Sequence, residues 1–162
     1  MLKVCVIGLG YVGLPILVNF SKKYQFIGYD KSTRRINDLK KNKDIFNEFN
    51  KSELKKINSK LTSNLKEIKN SNIFIVTVPT PIKKNKIPDL SHLKDVCLSL
   101  SSILKERDIV IFESTVYPGL TKDYCVPLLQ KKNNLKLGIN LFVGYSPERI
   151  NPGDTKHQLK NI

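Results

Sequence analysis

Three glycines near the amino terminus have the spacing of a phosphate-binding turn. Gly8, Gly10 and Gly13 directly follow one apolar run and lead into another, so a buried strand, a glycine turn and a helix start are in register. The first glycine permits a tight turn, the second lets a phosphate approach the backbone, and the third lets the helix pack on the strand. Free amides at the helix start would face the anion. We therefore predict a dinucleotide pyrophosphate site at Gly8, Gly10, Tyr11, Val12 and Gly13.

An acidic residue follows at the distance that such a site requires. Asp30 ends a second apolar run, 26–29, and lies twenty residues after Gly10. Its carboxylate can accept both hydroxyls of an adenosine ribose, whereas it would repel a 2′-phosphate. We therefore predict NAD rather than NADP as the cofactor. Arg35, early in the next predicted helix, either lies over the adenosine or is a solvated helix residue.

Polar groups follow each of three later apolar runs that predict buried strands. In chain order they are Thr80 with its neighbour Pro79, Ser114 with Thr115, and Glu148 with Arg149. The carboxyl ends of parallel strands face one crevice, so we expect these loops to converge beside the pyrophosphate turn. Such a crevice would hold a substrate next to a nicotinamide ring. Any one of these residues could instead be a capping hydroxyl or part of a surface ion pair.

The elements that must position these residues alternate between strands and helices. Apolar runs predict parallel strands at 4–7, 25–30, 73–78, 109–112 and 141–145. Helical spacing predicts helices at 14–23, after the cap Ser32, from Ser52, from Asp89 or Ser91 to 107, and from Thr121, where Pro127 should kink or shorten the last. The helix from Ser52 would carry Leu54, Ile57 and Leu61 on one face. We expect an α/β fold, a Rossmann-like doubly wound and mostly parallel sheet with helices on both faces.

Length and charge limit the class of protein. The 162 residues fit one domain, no run reaches the ~20 apolar residues of a membrane helix, and the chain opens on a strand rather than a signal peptide. A cytoplasmic protein is therefore expected. The net charge of +14 raises nucleic acid or an acidic membrane as partners, but the lysines are scattered and arginines are few, so we expect neither. Lys83, Lys84 and Lys86 form one local cluster, which either helps to hold an anionic ligand or faces water.

Cysteine and histidine add no catalytic centre. Cys5, Cys97 and Cys125 each lie within an apolar pattern, which predicts buried reduced thiols rather than a disulfide framework or a metal site. Neither His92 nor His157 stands in a context that would pair it with a cysteine as a base. We expect both histidines at the surface.

Four motifs together resemble the UDP-glucose/GDP-mannose dehydrogenase family. They are GLGYVGLP at 8–15, VPTP at 78–81, ESTVYPG at 113–119 and YSPERINPG at 145–153. The likeness runs the full length of the chain. Within the family, the chain most resembles the bacterial UDP-N-acetylglucosamine and UDP-N-acetylgalactosamine 6-dehydrogenases of surface-polysaccharide synthesis, including the Vi polysaccharide type. Without this resemblance, a hydroxyacid or 6-phosphogluconate type of dehydrogenase, or a nucleotide-binding module without catalysis, would also be open.

The resemblance implies an oxidation of the C6 hydroxymethyl group of a nucleotide sugar to a carboxylate. It uses two NAD molecules and a cysteine-linked thioester that water hydrolyses. By motif position, Asp30 and Arg35 would hold the adenosine ribose, and Thr80 and Thr115 would line the nicotinamide site. Glu148 would assist hydrolysis, and a strand-end carboxylate can be a general base for water when burial tunes its affinity for protons.

The chain also departs from the family pattern. Family members are more than twice this long, and their nucleophilic cysteine, lysine, asparagine and aspartate lie beyond the position of Ile162. The three cysteines present here fall outside the family's nucleophile motif. The resemblance therefore implies that residues 1–162 are an N-terminal NAD-binding domain that binds NAD but is catalytically incomplete. It further implies a UDP-sugar substrate, with Glu148 and Arg149 as substrate contacts, and a homodimer formed through a central helix absent from this chain.

Overall fold

One parallel sheet forms the centre of the computed structural model, which describes residues 2–147. Its order is β3-β2-β1-β4-β5-β6, and every neighbouring pair is parallel. The strands are β1 (Lys3–Ile7), β2 (Gln25–Tyr29), β3 (Leu61–Thr62), β4 (Ile73–Val76), β5 (Asp108–Phe112) and β6 (Leu141–Tyr145). The strand order reverses between β1 and β4, which is where open α/β sheets bind their ligands. The prediction of a Rossmann-like doubly wound sheet is confirmed.

Helices cover both faces of this sheet. They are α1 (Gly13–Phe20), α2 (Thr33–Lys40), α3 (Lys51–Lys55), α4 (Leu65–Ile68), α5 (Ser91–Leu100) and α6 (Val126–Leu129). Side chains alternate along β1: Val4 and Val6 join a buried cluster with α1, α2 and α3, while Cys5 and Ile7 join one with α4, α5 and α6. This alternation is the period of two that a strand buried on both faces requires.

The sequence also correctly predicts the start of α2 and an irregularity in the last helix. Ser32 caps α2, since its side chain accepts from the amide of Arg35 at 3.2 Å. The helix predicted from Thr121 is irregular at Pro127, which lies in the first turn of α6 and has no amide to donate to the preceding turn. Residues Thr121–Cys125 form a π-type turn there, and α6 begins only at Val126.

Several other predicted boundaries are wrong, and α1, for example, ends at Phe20 rather than at 23. Leu61 is not on a helix but in β3, where the two-residue strand pairs with Gly28 and Tyr29. α5 ends at Leu100 rather than at 107, because the chain turns there toward β5 and passes through a positive φ of 70° at Arg107. β4 stops at Val76 rather than 78, where the chain turns beside the glycine turn.

The three cysteines are buried and free, as predicted. None of the helices within residues 2–147 has both the length and the hydropathy that crossing a membrane requires.

Candidate dinucleotide-binding site

The glycine turn joins β1 to α1 at the carboxyl edge of the sheet. Gly8 has a φ of +92°, which L side chains rarely adopt. A Cβ on Gly13 would lie 1.9 Å from the carbonyl oxygen of Gly8 and 2.4 Å from Oγ1 of Thr77, so α1 begins directly against the turn. A Cβ on Gly10 would have no neighbour within 4 Å. Gly8 therefore serves the conformation of the turn, Gly13 serves packing, and Gly10 borders open space.

Side-chain contacts orient the peptide groups of this turn. Thr77 Oγ1 lies 2.6 Å from the Gly8 carbonyl oxygen and 3.0 Å from that of Ile7, and the Leu9 amide donates to Asp30 Oδ2 at 2.9 Å. None of the hydrogen bonds described for residues 2–147 has the amide of Gly10, Tyr11 or Val12 as its donor. Unpaired amides at a helix start are donors for an anion, so the turn fits a pyrophosphate.

Asp30 faces the glycine turn from the end of β2. Its Oδ2 accepts from the Leu9 amide, and its Oδ1 accepts from the amide of Ser32 at 2.8 Å. Each carboxylate oxygen has a second lone pair, so two acceptor positions are left on this partly exposed side chain. The arrangement fits two ribose hydroxyls. Direct contact with the ribose stays a prediction.

Arg35 lies beneath the turn and is not a solvated helix residue. It is 9% exposed, its Nε donates to the Leu9 carbonyl oxygen at 2.8 Å, and its Nη2 lies 2.9 Å from Oδ1 of Asp44. The guanidinium carbon is 5.1 Å from the centre of the Phe46 ring. The solvated alternative is wrong because the side chain is buried in contact with Leu9 and Asp44. Contact with the adenosine remains a prediction.

Tyr11 and Val12 complete the turn. The Tyr11 ring stacks on Phe46 with centroids 3.8 Å apart and planes at 32°. Val12 packs against the buried cluster under α1. Tyr11 remains 40% exposed, so one side of the turn presents an aromatic surface to solvent.

Hydroxyl groups connect the loops after β4 and β5. Thr80 Oγ1 donates to the carbonyl oxygen of Thr115 at 2.6 Å, and Ser114 Oγ donates to that of Val78 at 2.7 Å. The structure thus brings together the residues predicted for the nicotinamide side. Ser114 is buried and its hydroxyl is engaged by the protein, whereas Thr115 and Pro79 are exposed.

The third predicted loop, with Glu148 and Arg149, lies outside the described residues, as does His157. β6 leads toward it along the same edge, because the amide of Ser146 donates to the Phe112 carbonyl oxygen at 2.9 Å. His92 is exposed, as expected.

The lysine cluster 83–86 lies on an exposed turn that follows Thr80. Lys83 Nζ is 3.7 Å from Oδ1 of Asp89. A contact between this cluster and an anionic ligand stays a prediction.

Three residues of the site, which are Thr77, Asp44 and Phe46, were not predicted from the sequence. Thr77 is the one hydroxyl residue in the apolar run 73–78 and lies two residues before Pro79, which is a signal that could have found it. Asp44 and Phe46 lie in a polar stretch between helices, where neither helical nor strand periodicity marks a buried side chain.

A parallel sheet of this strand order, with a glycine turn and an acidic residue at its switch point, defines a dinucleotide-binding domain. The family model described as UDP-glucose/GDP-mannose dehydrogenase family, NAD binding domain, matches residues 2–162. The chain belongs to this family, and the cofactor of the domain is NAD.

Individual relatives agree with this assignment. The chain is 49% identical to UDP-N-acetyl-D-glucosamine 6-dehydrogenase of Pseudomonas aeruginosa over 99% of its own length, and 46% identical to Protein CapL of Staphylococcus aureus over 98%. It spans 38% of the length of each of these curated relatives.

Solved structures show the same fold. UDP-D-ManNAc dehydrogenase from Pyrococcus horikoshii superposes with a TM-score of 0.86 at 32% identity, over 94% of this chain and 37% of the other. A ternary complex of GDP-mannose dehydrogenase from Pseudomonas aeruginosa gives 0.84 at 28% identity, over 92% and 36%.

Proposed function

We propose that this chain is the NAD-binding part of a nucleotide-sugar 6-dehydrogenase. The full protein would oxidise the C6 alcohol of a UDP-N-acetylhexosamine to a carboxylate for surface-polysaccharide synthesis. The observation that carries the proposal is the Asp30 carboxylate on the Leu9 amide, beside open space at Gly10. Two relatives support the choice of sugar, since proteins of 49% and 47% identity to this chain are UDP-N-acetyl-D-glucosamine 6-dehydrogenases.

The residues of this chain would bind and orient the cofactor. When bound, NAD supplies the chemistry of hydride acceptance from the alcohol carbon. The amides of Gly10, Tyr11 and Val12 would bind the pyrophosphate, and the Asp30 carboxylate would accept hydrogen bonds from the ribose hydroxyls. Thr80 would line the nicotinamide site: its proton is directed to the Thr115 carbonyl oxygen, so its own oxygen retains lone pairs for the carboxamide N–H of the nicotinamide.

The second half of the reaction would need groups from outside residues 2–147. Oxidation of an alcohol to a carboxylate through a thioester requires an accessible thiolate. Cys5, Cys97 and Cys125 are all buried, and burial raises the pKa of the Cys5 thiol far above its ordinary value. The nucleophile would therefore come from further chain, with Glu148 assisting hydrolysis and Arg149 contacting the substrate. A cytoplasmic homodimer joined through a central helix is part of the same proposal, supported by the family resemblance.

Titration of NAD and NADP into the purified 162-residue chain by calorimetry tests the cofactor site. We expect NAD to bind and NADP to bind at least about tenfold more weakly, because a 2′-phosphate would face the Asp30 carboxylate. The variant Asp30→Asn should reduce this preference. Asp38→Asn, which changes the same charge on the exposed side of α2, should leave it unchanged. Equal or tighter binding of NADP to the wild-type chain would contradict the role of Asp30.

A polypeptide that continues beyond Ile162 tests the activity. With UDP-N-acetylglucosamine we expect two NADH per uronic acid formed, and none from the 162-residue chain alone. Turnover by the 162-residue chain would overturn the assignment of the nucleophile to further chain.

A further inference from the structure

Asp44 is a buried carboxylate in the segment that follows α2. Its side chain is 1% exposed, and it accepts from the Phe46 amide at 3.3 Å, the Glu48 amide at 3.1 Å and Arg35 Nη2 at 2.9 Å. Two of these donors belong to the segment's own backbone, so the chain folds around the carboxylate. A buried charge is tolerated when it has such partners, and removal of one partner leaves the other uncompensated.

Arg35 transmits this constraint to the glycine turn. While Nη2 contacts Asp44, Nε donates to the Leu9 carbonyl oxygen at 2.8 Å, and the Leu9 amide donates to Asp30 at 2.9 Å. Both backbone polar groups of Leu9 are therefore held by side chains from other elements. The carbonyl and the following amide of a planar trans peptide point in opposite directions. With the Leu9 carbonyl held by Arg35, the Gly10 amide points away from Arg35.

The same segment contacts the turn through an aromatic ring. Phe46 stacks on Tyr11 with centroids 3.8 Å apart, and its ring lies 5.1 Å from the guanidinium carbon of Arg35. Arg35 Nη1 is buried and has no hydrogen-bond partner among the described residues, while the Phe46 ring is a cation–π partner of the guanidinium group. Asp44 fixes the backbone that carries this ring, through the amides of Phe46 and Glu48.

We propose that Asp44 is a positioning residue for the dinucleotide, which sets the direction of the Gly10 amide through Arg35 and Leu9. The inference rests on the proposed function, since it requires a pyrophosphate to bind at the glycine turn. Asp44 does not itself contact the ligand. Its contribution is to hold a phosphate donor in place before the ligand arrives, which lowers the ordering that binding would otherwise require.

Electrostatics and positioning predict opposite signs for a neutral residue at this position. Without the negative charge of Asp44, the guanidinium of Arg35 would attract a pyrophosphate more strongly, and NAD would bind more tightly. Without the hydrogen bond to Arg35, the Leu9 peptide would be free to turn, and NAD would bind more weakly. The direction of the change in Kd therefore distinguishes the two effects.

The test compares Asp44→Asn with Asp38→Asn in the 162-residue chain by calorimetry with NAD and with ADP-ribose. For Asp44→Asn we expect the Kd of both ligands to rise about tenfold, the size expected for a lost charge-assisted hydrogen bond. Asp38→Asn removes the same charge from a partly exposed pair with Arg34 at 3.9 Å, and its Kd should stay within about twofold of wild type. Circular dichroism establishes that each variant is folded.

Two further variants complete the test. Asp44→Ser retains an oxygen that can accept from the backbone amides, and it replaces Asp44→Asn if the latter does not fold. Arg35→Lys keeps the charge but cannot hold both Asp44 and Leu9. The double variant Arg35→Lys with Asp44→Asn should bind NAD no more weakly than Arg35→Lys alone, because both changes break one connection.

Unchanged or tighter NAD binding by Asp44→Asn or Asp44→Ser would overturn the inference, as would additive losses in the double variant. If the wild-type chain binds NAD and the Asp44 variants bind it equally well, only the role of Asp44 is refuted. A wild-type chain that does not bind NAD would refute the proposed cofactor site itself.

Discussion

The hydroxyl of Thr77 lies 2.6 Å from the carbonyl oxygen of Gly8, and the two residues belong to loops that follow adjacent strands. This contact joins the glycine turn to the end of β4. In the trans peptide between Gly8 and Leu9, the carbonyl faces Thr77 while the amide faces Asp30. The orientation of the turn is thus set from both sides before any ligand binds.

Replacement of this hydroxyl should affect both stability and binding. Thr77→Val keeps the shape of the side chain but removes its proton donor, so the Gly8 carbonyl loses a hydrogen bond. We expect the free energy of unfolding in urea to fall by about 1 kcal/mol and NAD to bind more weakly. Thr33→Val, at an exposed position of α2, is the matched control and should change neither quantity appreciably. Wild-type NAD affinity in Thr77→Val would show that the contact does not orient the turn.

Alanine at two of the glycines should separate packing from ligand binding. A Cβ at position 13 would overlap the Gly8 carbonyl oxygen, so Gly13→Ala should destabilise the fold by about 1–3 kcal/mol. A Cβ at position 10 meets no protein atom within 4 Å, so Gly10→Ala should keep the wild-type melting temperature. Its methyl group would occupy the space where the phosphate approaches, so the Kd for NAD should rise more than about tenfold. Thermal unfolding and calorimetry measure the two effects, and NAD binding by Gly10→Ala at wild-type affinity would contradict the phosphate site.

Local sequence determined most of the fold and the first half of the site. Apolar runs identify five of the six strands. A parallel strand that is covered on both faces is apolar at nearly every position, so it stands out as a continuous run. β3 was missed since Leu61 is buried at helical spacing from Leu54 and Ile57, although it lies in a two-residue strand. A strand this short has no periodicity of its own.

The contacts that brace the glycine turn could not be predicted from local sequence. Asp44 and Arg35 are nine positions apart, yet α2 and the segment after it must fold before their side chains meet. Thr77 and Gly8 are 69 positions apart. The spacing of apolar residues indicates which face of its own helix or strand a residue occupies. It does not indicate which side chain of another element that residue contacts.

The buried thiols predict a pH dependence of stability at alkaline pH. Burial raises the pKa of Cys5, and the pKa of Cys97 is raised by its hydrogen bond with Cys125 and by burial. In the unfolded chain a thiol ionises near pH 8.5, so only the unfolded state loses the proton as the pH rises past that value. The stabilisation by the Cys5 thiol is complete below about pH 8.5, and above it the free energy of unfolding should fall by about 1.4 kcal/mol per pH unit for this thiol.

Two measurements examine this behaviour. Urea unfolding at pH values between 7 and 10 should show the decline, and Cys5→Ser should reduce its slope. Iodoacetamide at pH 8 should leave Cys5 and Cys97 unmodified in the folded chain and alkylate them in urea. Rapid alkylation of Cys5 in the folded chain would contradict its burial.

Thr80 should matter for the nicotinamide half of the cofactor alone. Its hydroxyl donates to the carbonyl oxygen of Thr115 and so connects the loops after β4 and β5, at a distance in sequence from the glycine turn. Thr80→Val removes that connection and the oxygen proposed to face the ring, so the Kd for NAD should rise by about fivefold to tenfold. ADP-ribose lacks the nicotinamide, and its Kd should not change. Calorimetry with both ligands gives the comparison, and an equal loss for NAD and ADP-ribose would place the effect of Thr80 on the adenosine half and contradict the proposed orientation of the cofactor.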